Sequence, residues 1–141
     1  MGTTATGGCL CGNYSYEFDQ DQVISTHHCH CKDCQKMTGS GKATIIMLPT
    51  PLLTDKGALK YYTVTGTDGS HVSRGFCTEC GCQVVSYVEE QPDIRFIKAG
   101  SLNDSSWVTV SSSFWGDSAE DWSPVDASLP ATARNPSFGG N

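Results

Sequence analysis

His27-His28-Cys29-His30-Cys31-Lys32-Asp33-Cys34 places three cysteines within six residues. Spaced by one residue and then by two, their sulfurs can converge on one metal ion and leave its fourth tetrahedral position without an obvious protein ligand, the arrangement of a reactive zinc site. Gly7-Gly8-Cys9-Leu10-Cys11-Gly12 precedes this stretch and Phe76-Cys77-Thr78-Glu79-Cys80-Gly81-Cys82 follows it. Cys9 and Cys11 with Cys77 and Cys80 supply four sulfurs, enough to close a structural zinc and to tie the start of the chain to its middle. Cys29, Cys31 and Cys34 are then left as the open, catalytic set. Cys82 or His30 as a fourth ligand would make the second site structural too, although Cys82 follows Cys80 closely for a return to another metal. A disulfide framework is the remaining alternative for eight cysteines.

Composition limits the rest. A chain of 141 residues is read as one domain, large enough for a core but not for two full ones. The net charge is −6, and nine Lys and Arg are scattered without a run or stripe. Nucleic acid and anionic membrane are poor partners for such a surface, and no window approaches a membrane span. The first residues, Met1 to Gly8, lack the basic start and apolar core of a secretory signal; Gly2 with Thr6 is a weak match to a myristoylation site. The expected compartment is therefore reducing and cytoplasmic, where closely spaced cysteines bind metal rather than cross-link.

Between the clusters the pattern is that of short strands. Tyr14, Tyr16 and Phe18 alternate with polar residues, as on a half-buried strand. Val23 to Thr26 reads as a second strand, a hairpin partner that delivers the chain to Cys29. Gln35-Lys36-Met37 suggests one helical turn, ended by Thr38-Gly39-Ser40-Gly41. Ala43 to Leu48 fits a buried strand, and further strands are expected over 59–64, 71–76, 83–88, 94–98 and 107–114. With about eight strands and little helix, the chain is mainly β. From Trp115 the tail reads as coil wrapped over the sheets, anchored by Trp122 and Leu129, with its last residues loose.

The chemistry follows from charge. Zinc held by three thiolates is a weak Lewis acid, poor at making hydroxide from water. It is better suited to holding a substrate thiol as thiolate, which points to making or breaking a carbon–sulfur bond. His30, between two ligands, is the first candidate for acid–base work, ahead of His28 and His71. The loop around Gly39 and Ser40 could offer backbone N–H groups to an anionic substrate or serve as a plain connector.

The succession Gly8-Cys9-Leu10-Cys11-Gly12, Cys29-His30-Cys31-Lys32-Asp33-Cys34, Gly39-Ser40, Phe76-Cys77-Thr78-Glu79-Cys80-Gly81 and Lys98-Ala99-Gly100-Ser101-Leu102 resembles the glutathione-dependent formaldehyde-activating enzyme family over about residues 7 to 130. The resemblance implies small antiparallel sheets organised around zinc, the Mss4-like or β-tent fold. It also implies two zinc ions per chain, a structural one on Cys9, Cys11, Cys77 and Cys80 and a catalytic one on Cys29, Cys31 and Cys34. The activity it implies is condensation of formaldehyde with glutathione to S-hydroxymethylglutathione, formally a carbon–sulfur lyase reaction. Lys36, Lys42, Arg74 or Lys98 could pair with the two glutathione carboxylates, or be ordinary surface charge. The chain departs from the family pattern at Gly41-Lys42-Ala43, where many members carry an aromatic residue, and at Ser112-Ser113-Phe114, where many have a histidine. Gly39, Ser40, Lys42 and Phe114 are thus the expected substrate-side residues.

Three functions are consistent with these observations. One is an enzyme that makes or breaks the carbon–sulfur bond of glutathione or a glutathione adduct. Another is a zinc-dependent lyase or isomerase acting on a different small molecule. The third is a non-catalytic zinc-stabilised binding module, like a chromosome-associated relative of the family, against which the acidic balance counts. Oligomeric state is not legible in the sequence.

Overall fold

A computed structural model describes residues 2–136. Its ten strands are β1 (Thr4–Gly8), β2 (Ser15–Asp19), β3 (Ser25–Cys29), β4 (Ala43–Pro49), β5 (Thr54–Lys56), β6 (Lys60–Thr65), β7 (His71–Phe76), β8 (Gln83–Val88), β9 (Ile94–Lys98) and β10 (Ser112–Phe114), with one α-helix, α1 (Lys32–Thr38). The fold is mainly β, with small antiparallel and mixed sheets, and fits the Mss4-like class. Among the described residues no helix is long and apolar enough to cross a membrane.

Contacts group the chain into two compact units. The first holds residues up to 25 and 46–108. In it β2 pairs antiparallel with β1 and β5, while β9, β8, β7 and β6 lie side by side in that order, each antiparallel to the next. The expected alternation places Tyr14, Tyr16 and Phe18 inside, each under 5% exposed, with Ser15 and Glu17 outside. They pack with Ile46, Leu48, Val84, Val85 and Ile97, and the Phe18 ring meets Trp107 edge-on at 6.2 Å. The two core tyrosine hydroxyls are paired: Tyr14 Oη donates to Asp55 Oδ2 at 2.7 Å, and Tyr16 Oη lies 2.7 Å from Ser101 Oγ, which itself donates to the Lys98 carbonyl.

The second unit holds residues 26–45 and those from 109 onward. Here β10 runs parallel to β3, and the segment after Pro130 continues beside it through an Ala131 bridge to Ser113. β3 also neighbours the start of β4.

Several boundaries differ from the sequence reading, for local reasons. β2 and β3 do not form a hairpin, because β2 pairs with β1 and β5. α1 begins at Lys32, three residues before the expected turn, because Cys31 takes an extended conformation and its Sγ accepts the Cys34 N–H at 3.3 Å as the N-cap. Of the strand expected over 107–114 only Ser112–Phe114 is regular. Trp122 does not anchor the tail: it is 69% exposed. The tail is held by hydrogen bonds instead, including Trp115 Nε1 to Asn135 Oδ1 at 2.6 Å. The looseness expected of the last residues falls on 137–141, outside the described residues.

Candidate metal centres

The first unit contains the four-sulfur set. The Sγ atoms of Cys9, Cys11, Cys77 and Cys80 all lie within 4.8 Å of one another. Cys9 Sγ is 3.7 Å from Cys11 Sγ, which is 3.6 Å from Cys77 Sγ. Four thiolates about 2.3 Å from a central zinc stand about 3.8 Å apart, so the cradle already has the dimensions of a tetrahedral site. All eight cysteines are free thiols, so a disulfide framework is not what joins these segments.

Each half of the cradle is a tight turn with N–H groups aimed at sulfur. Tyr14 N–H donates to Cys9 Sγ at 3.2 Å, while Cys9 N–H returns to the Tyr14 carbonyl at 3.0 Å. In the other half, Gly81 takes φ +75° and donates to the Cys77 carbonyl at 2.8 Å. A side chain there would be strained by that left-handed conformation. The Cys82 backbone, followed by that of Cys11, donates to Cys80 and pulls its thiol down to about 6, which prepares a thiolate at neutral pH. Cys82 belongs to neither sulfur set; its Sγ makes a long contact of 3.6 Å to the Gln83 carbonyl.

The second unit contains the three-sulfur set. The Sγ atoms of Cys29, Cys31 and Cys34 lie within 4.8 Å of one another, and among the described residues no His, Asp or Glu completes the group. Cys29 and Cys34 are each 7% exposed and Cys31 is half-buried. Cys29 comes from the end of β3, Cys31 caps α1 and Cys34 sits in its first turn. The neighbouring Cys31 and Cys34 thiols, and after them burial, hold Cys29 far above the usual thiol range. Three thiolates so close together need a cation among them, and a soft divalent ion fits this all-sulfur donor set.

Of the expected site residues, His30, Gly39, Ser40, Lys42 and Phe114 all fall in this second unit. α1 ends where Gly39 takes φ +70° as its left-handed cap, its N–H donating to the Gln35 carbonyl at 2.8 Å. The next N–H, of Ser40, donates to Thr38 Oγ1 at 3.1 Å. Both backbone donors expected to serve an anion are therefore used to close the helix. Lys42 is close enough for its charge to act on His28 and His30, whose proton affinities are lowered first by burial and then by that ammonium. Phe114 is buried, opposite Cys29 on the adjacent strand.

His30 is fully buried, and among the described residues neither ring nitrogen has a hydrogen-bond partner; the Gly41 backbone favours the protonated ring without reaching hydrogen-bonding geometry. His28 Nδ1 lies 2.8 Å from Thr44 Oγ1. Lys36 is exposed on α1 in the same unit, whereas the remaining candidates belong to the first unit: Arg74 is buried, Lys98 Nζ donates to Ser86 Oγ at 3.2 Å, and His71 pairs with Glu90. Sequence reading passed over His27, whose ring stacks on Phe114 with centroids 4.3 Å apart. Its spacing of two from Cys29 was the available signal, but the strand boundary expected at Thr26 hid it.

Comparison with known proteins agrees with this picture. A family model described as "Glutathione-dependent formaldehyde-activating enzyme" matches residues 4–118. No curated protein matches the chain. A crystal structure of a Rhodobacter sphaeroides protein, solved as a structural genomics target, is similar with a TM-score of 0.55 at 21% identity, over 74% of this chain and 90% of that one; at that identity the likeness concerns the fold alone.

Proposed function

From the premise that the chain belongs to the glutathione-dependent formaldehyde-activating enzyme family, we propose that it is a zinc enzyme that makes or breaks the carbon–sulfur bond of a small thiol or its adduct. Glutathione and S-hydroxymethylglutathione are the first candidates. The observation that carries this reading is the three-sulfur set: three thiols within 4.8 Å of one another, two of them buried, with no fourth side-chain ligand among the described residues. Cys29, Cys31 and Cys34 would hold the catalytic ion, and Cys9, Cys11, Cys77 and Cys80 the structural one. When bound, a zinc ion on three thiolates supplies a soft site that keeps a substrate sulfur deprotonated.

The chain's own residues then have distinct tasks. Buried Phe114 excludes water beside Cys29. Lys42 offers an ammonium to a substrate carboxylate. The turn at Gly39 and Ser40 shapes the rim and fixes where Lys42 emerges. For His30 the support favours a different task from proton transfer: it is sealed from solvent, and its ring meets His28 edge-on at 6.5 Å. We place it behind the ligands, as a brace.

A second reading, the same chemistry on a thiol other than glutathione, is favoured by the engaged N–H groups of Gly39 and Ser40, which leave Lys42 as the main expected carboxylate contact. Calorimetric titration of glutathione into zinc-loaded protein, with Cys29→Ser as control, tests the proposal. Binding that the variant loses is expected. No binding by a parent that carries two zinc ions would send the search to other thiols.

A further inference from the structure

The chain reverses direction at Glu120-Asp121-Trp122-Ser123, a turn closed by the Ser123 N–H on the Glu120 carbonyl at 3.0 Å. Both ends of this turn are held against the three-cysteine segment, within the same compact unit. At one end Glu120 Oε2 accepts from Lys32 Nζ at 2.8 Å, and Lys32 directly follows Cys31. At the other, Ser123 and Trp122 lie on Gly41. A Cβ added to that glycine would run into the Ser123 side chain and stand 3.0 Å from Trp122 Cζ3. Gly41 is buried, so only a residue without a side chain lets the turn settle so closely.

Gly41 lies between Ser40 and Lys42 on the rim of the sulfur set. Its backbone is beside the His30 ring, and the Lys42 charge acts on both His28 and His30. Trp122 touches this rim through the benzo edge of its indole, and the residue is 69% exposed. A single exposed apolar side chain is ordinary on a protein surface. Here the ring is presented by a turn pinned at both ends, so little freedom remains to be lost when something packs on its face.

We propose that Trp122 is a specificity-determining residue of the three-cysteine site, stacking its indole on a flat apolar group carried by the bound thiol. The ring supplies an aromatic wall, and Lys42 beside it supplies a charge for a carboxylate elsewhere on the same molecule. The substrate class selected is a thiol, or a thiol adduct, that bears an aromatic or other planar substituent. This rests on the thiol reading above.

The test uses zinc-loaded protein with phenethyl mercaptan and propanethiol, which share an alkyl thiol head and differ by a phenyl ring. Phenethyl mercaptan is expected to bind the parent more tightly. About fivefold of that advantage, the worth of one aromatic pair, should vanish in Trp122→Ala, and Trp122→Phe should recover part of it. Fluorescence reads the contact directly, because Trp122 is exposed whereas Trp107 and Trp115 are half-buried. Phenethyl mercaptan should move the parent's emission to shorter wavelength and leave that of Trp122→Ala in place. Cobalt substitution, read by its thiolate charge-transfer bands, confirms that each variant retains its metal sites. Variants that keep the parent's preference, or a parent whose emission stays in place on binding, would overturn the role of Trp122 and leave the thiol reading standing. Failure of the parent to bind either thiol would overturn the thiol reading itself, and the inference with it.

Discussion

Gln35 Nε2 donates to the carbonyl of Ser118, 83 residues along the chain, at 2.9 Å. The same amide donates at 2.9 Å to the carbonyl of His30, between two of the cysteines. Gln35 is 7% exposed, so both bonds lie where water cannot easily replace them. One side chain thus fastens the tail to the ligand loop. Replacing it with leucine leaves those carbonyls without their donor, at a cost of roughly 2 kcal/mol. Urea denaturation of Gln35→Leu should show that loss, together with weaker metal retention at the three-cysteine set.

The two sulfur sets should fail differently. Cys29→Ser is expected to release one of two metal equivalents while the circular dichroism spectrum stays close to the parent's. Cys77→Ser removes a sulfur that is 2% exposed and belongs to the core cluster, so its protein should lose cooperative melting as well as metal. Elemental analysis beside a thermal melt checks both; equal behaviour of the variants would contradict the division into structural and catalytic sites.

Tyr14 should be worth more than its ring. Burial first, and then the Asp55 carboxylate that accepts its hydrogen bond, hold the phenol well above its ordinary range. Tyr14→Phe keeps the packing and removes the donor, which costs about 1 to 2 kcal/mol. A shift of the denaturant midpoint without a change in slope is the expected signature.

His71 and Glu90 make a surface pair that responds to pH. Their side chains meet at 2.6 Å, and the His71 N–H also donates to Glu90. The bond to Glu90 raises the imidazole above its usual 6.5, and the same bond lowers the carboxyl below its usual 4.5. The imidazole's contribution is complete below 6.5 and fades as pH rises through its raised folded value. The carboxyl's is complete above 4.5 and fades as pH falls through its lowered one. The pair therefore acts mainly between those limits, modestly because both groups are exposed. An NMR titration of His71 should give a value above 6.5 that falls toward it in Glu90→Gln.

Metal ligands and most strands were legible in the sequence because each has a short-range signature. Spacing alone sorted seven cysteines into two sets, alternation located β2, a continuous apolar run located β4, and short segments between turns located β6 to β9. What escaped depends on partners distant in the chain. β1, Thr4–Gly8, reads as a glycine-rich approach to Cys9 because its only fully buried side chain is Ala5. β5 is three exposed residues held by pairing with β2. The start of α1 was hidden because its cap is a cysteine sulfur instead of a hydroxyl or carboxylate. The pairing of β10 with β3, which sets Phe114 opposite Cys29, joins segments about 85 residues apart, and no local pattern encodes it.

The separation of the ligands along the chain has a consequence for synthesis. A ribosome completes the three-sulfur set when residue 34 has been added. The four-sulfur set stays half-made until residue 77 and is complete only at residue 80, with Cys9 and Cys11 waiting for Cys77 and Cys80. The nascent chain can thus offer its three-sulfur set to metal well before the four-sulfur set is complete. If both sets take up metal, its supply during translation would then govern the order in which they fill.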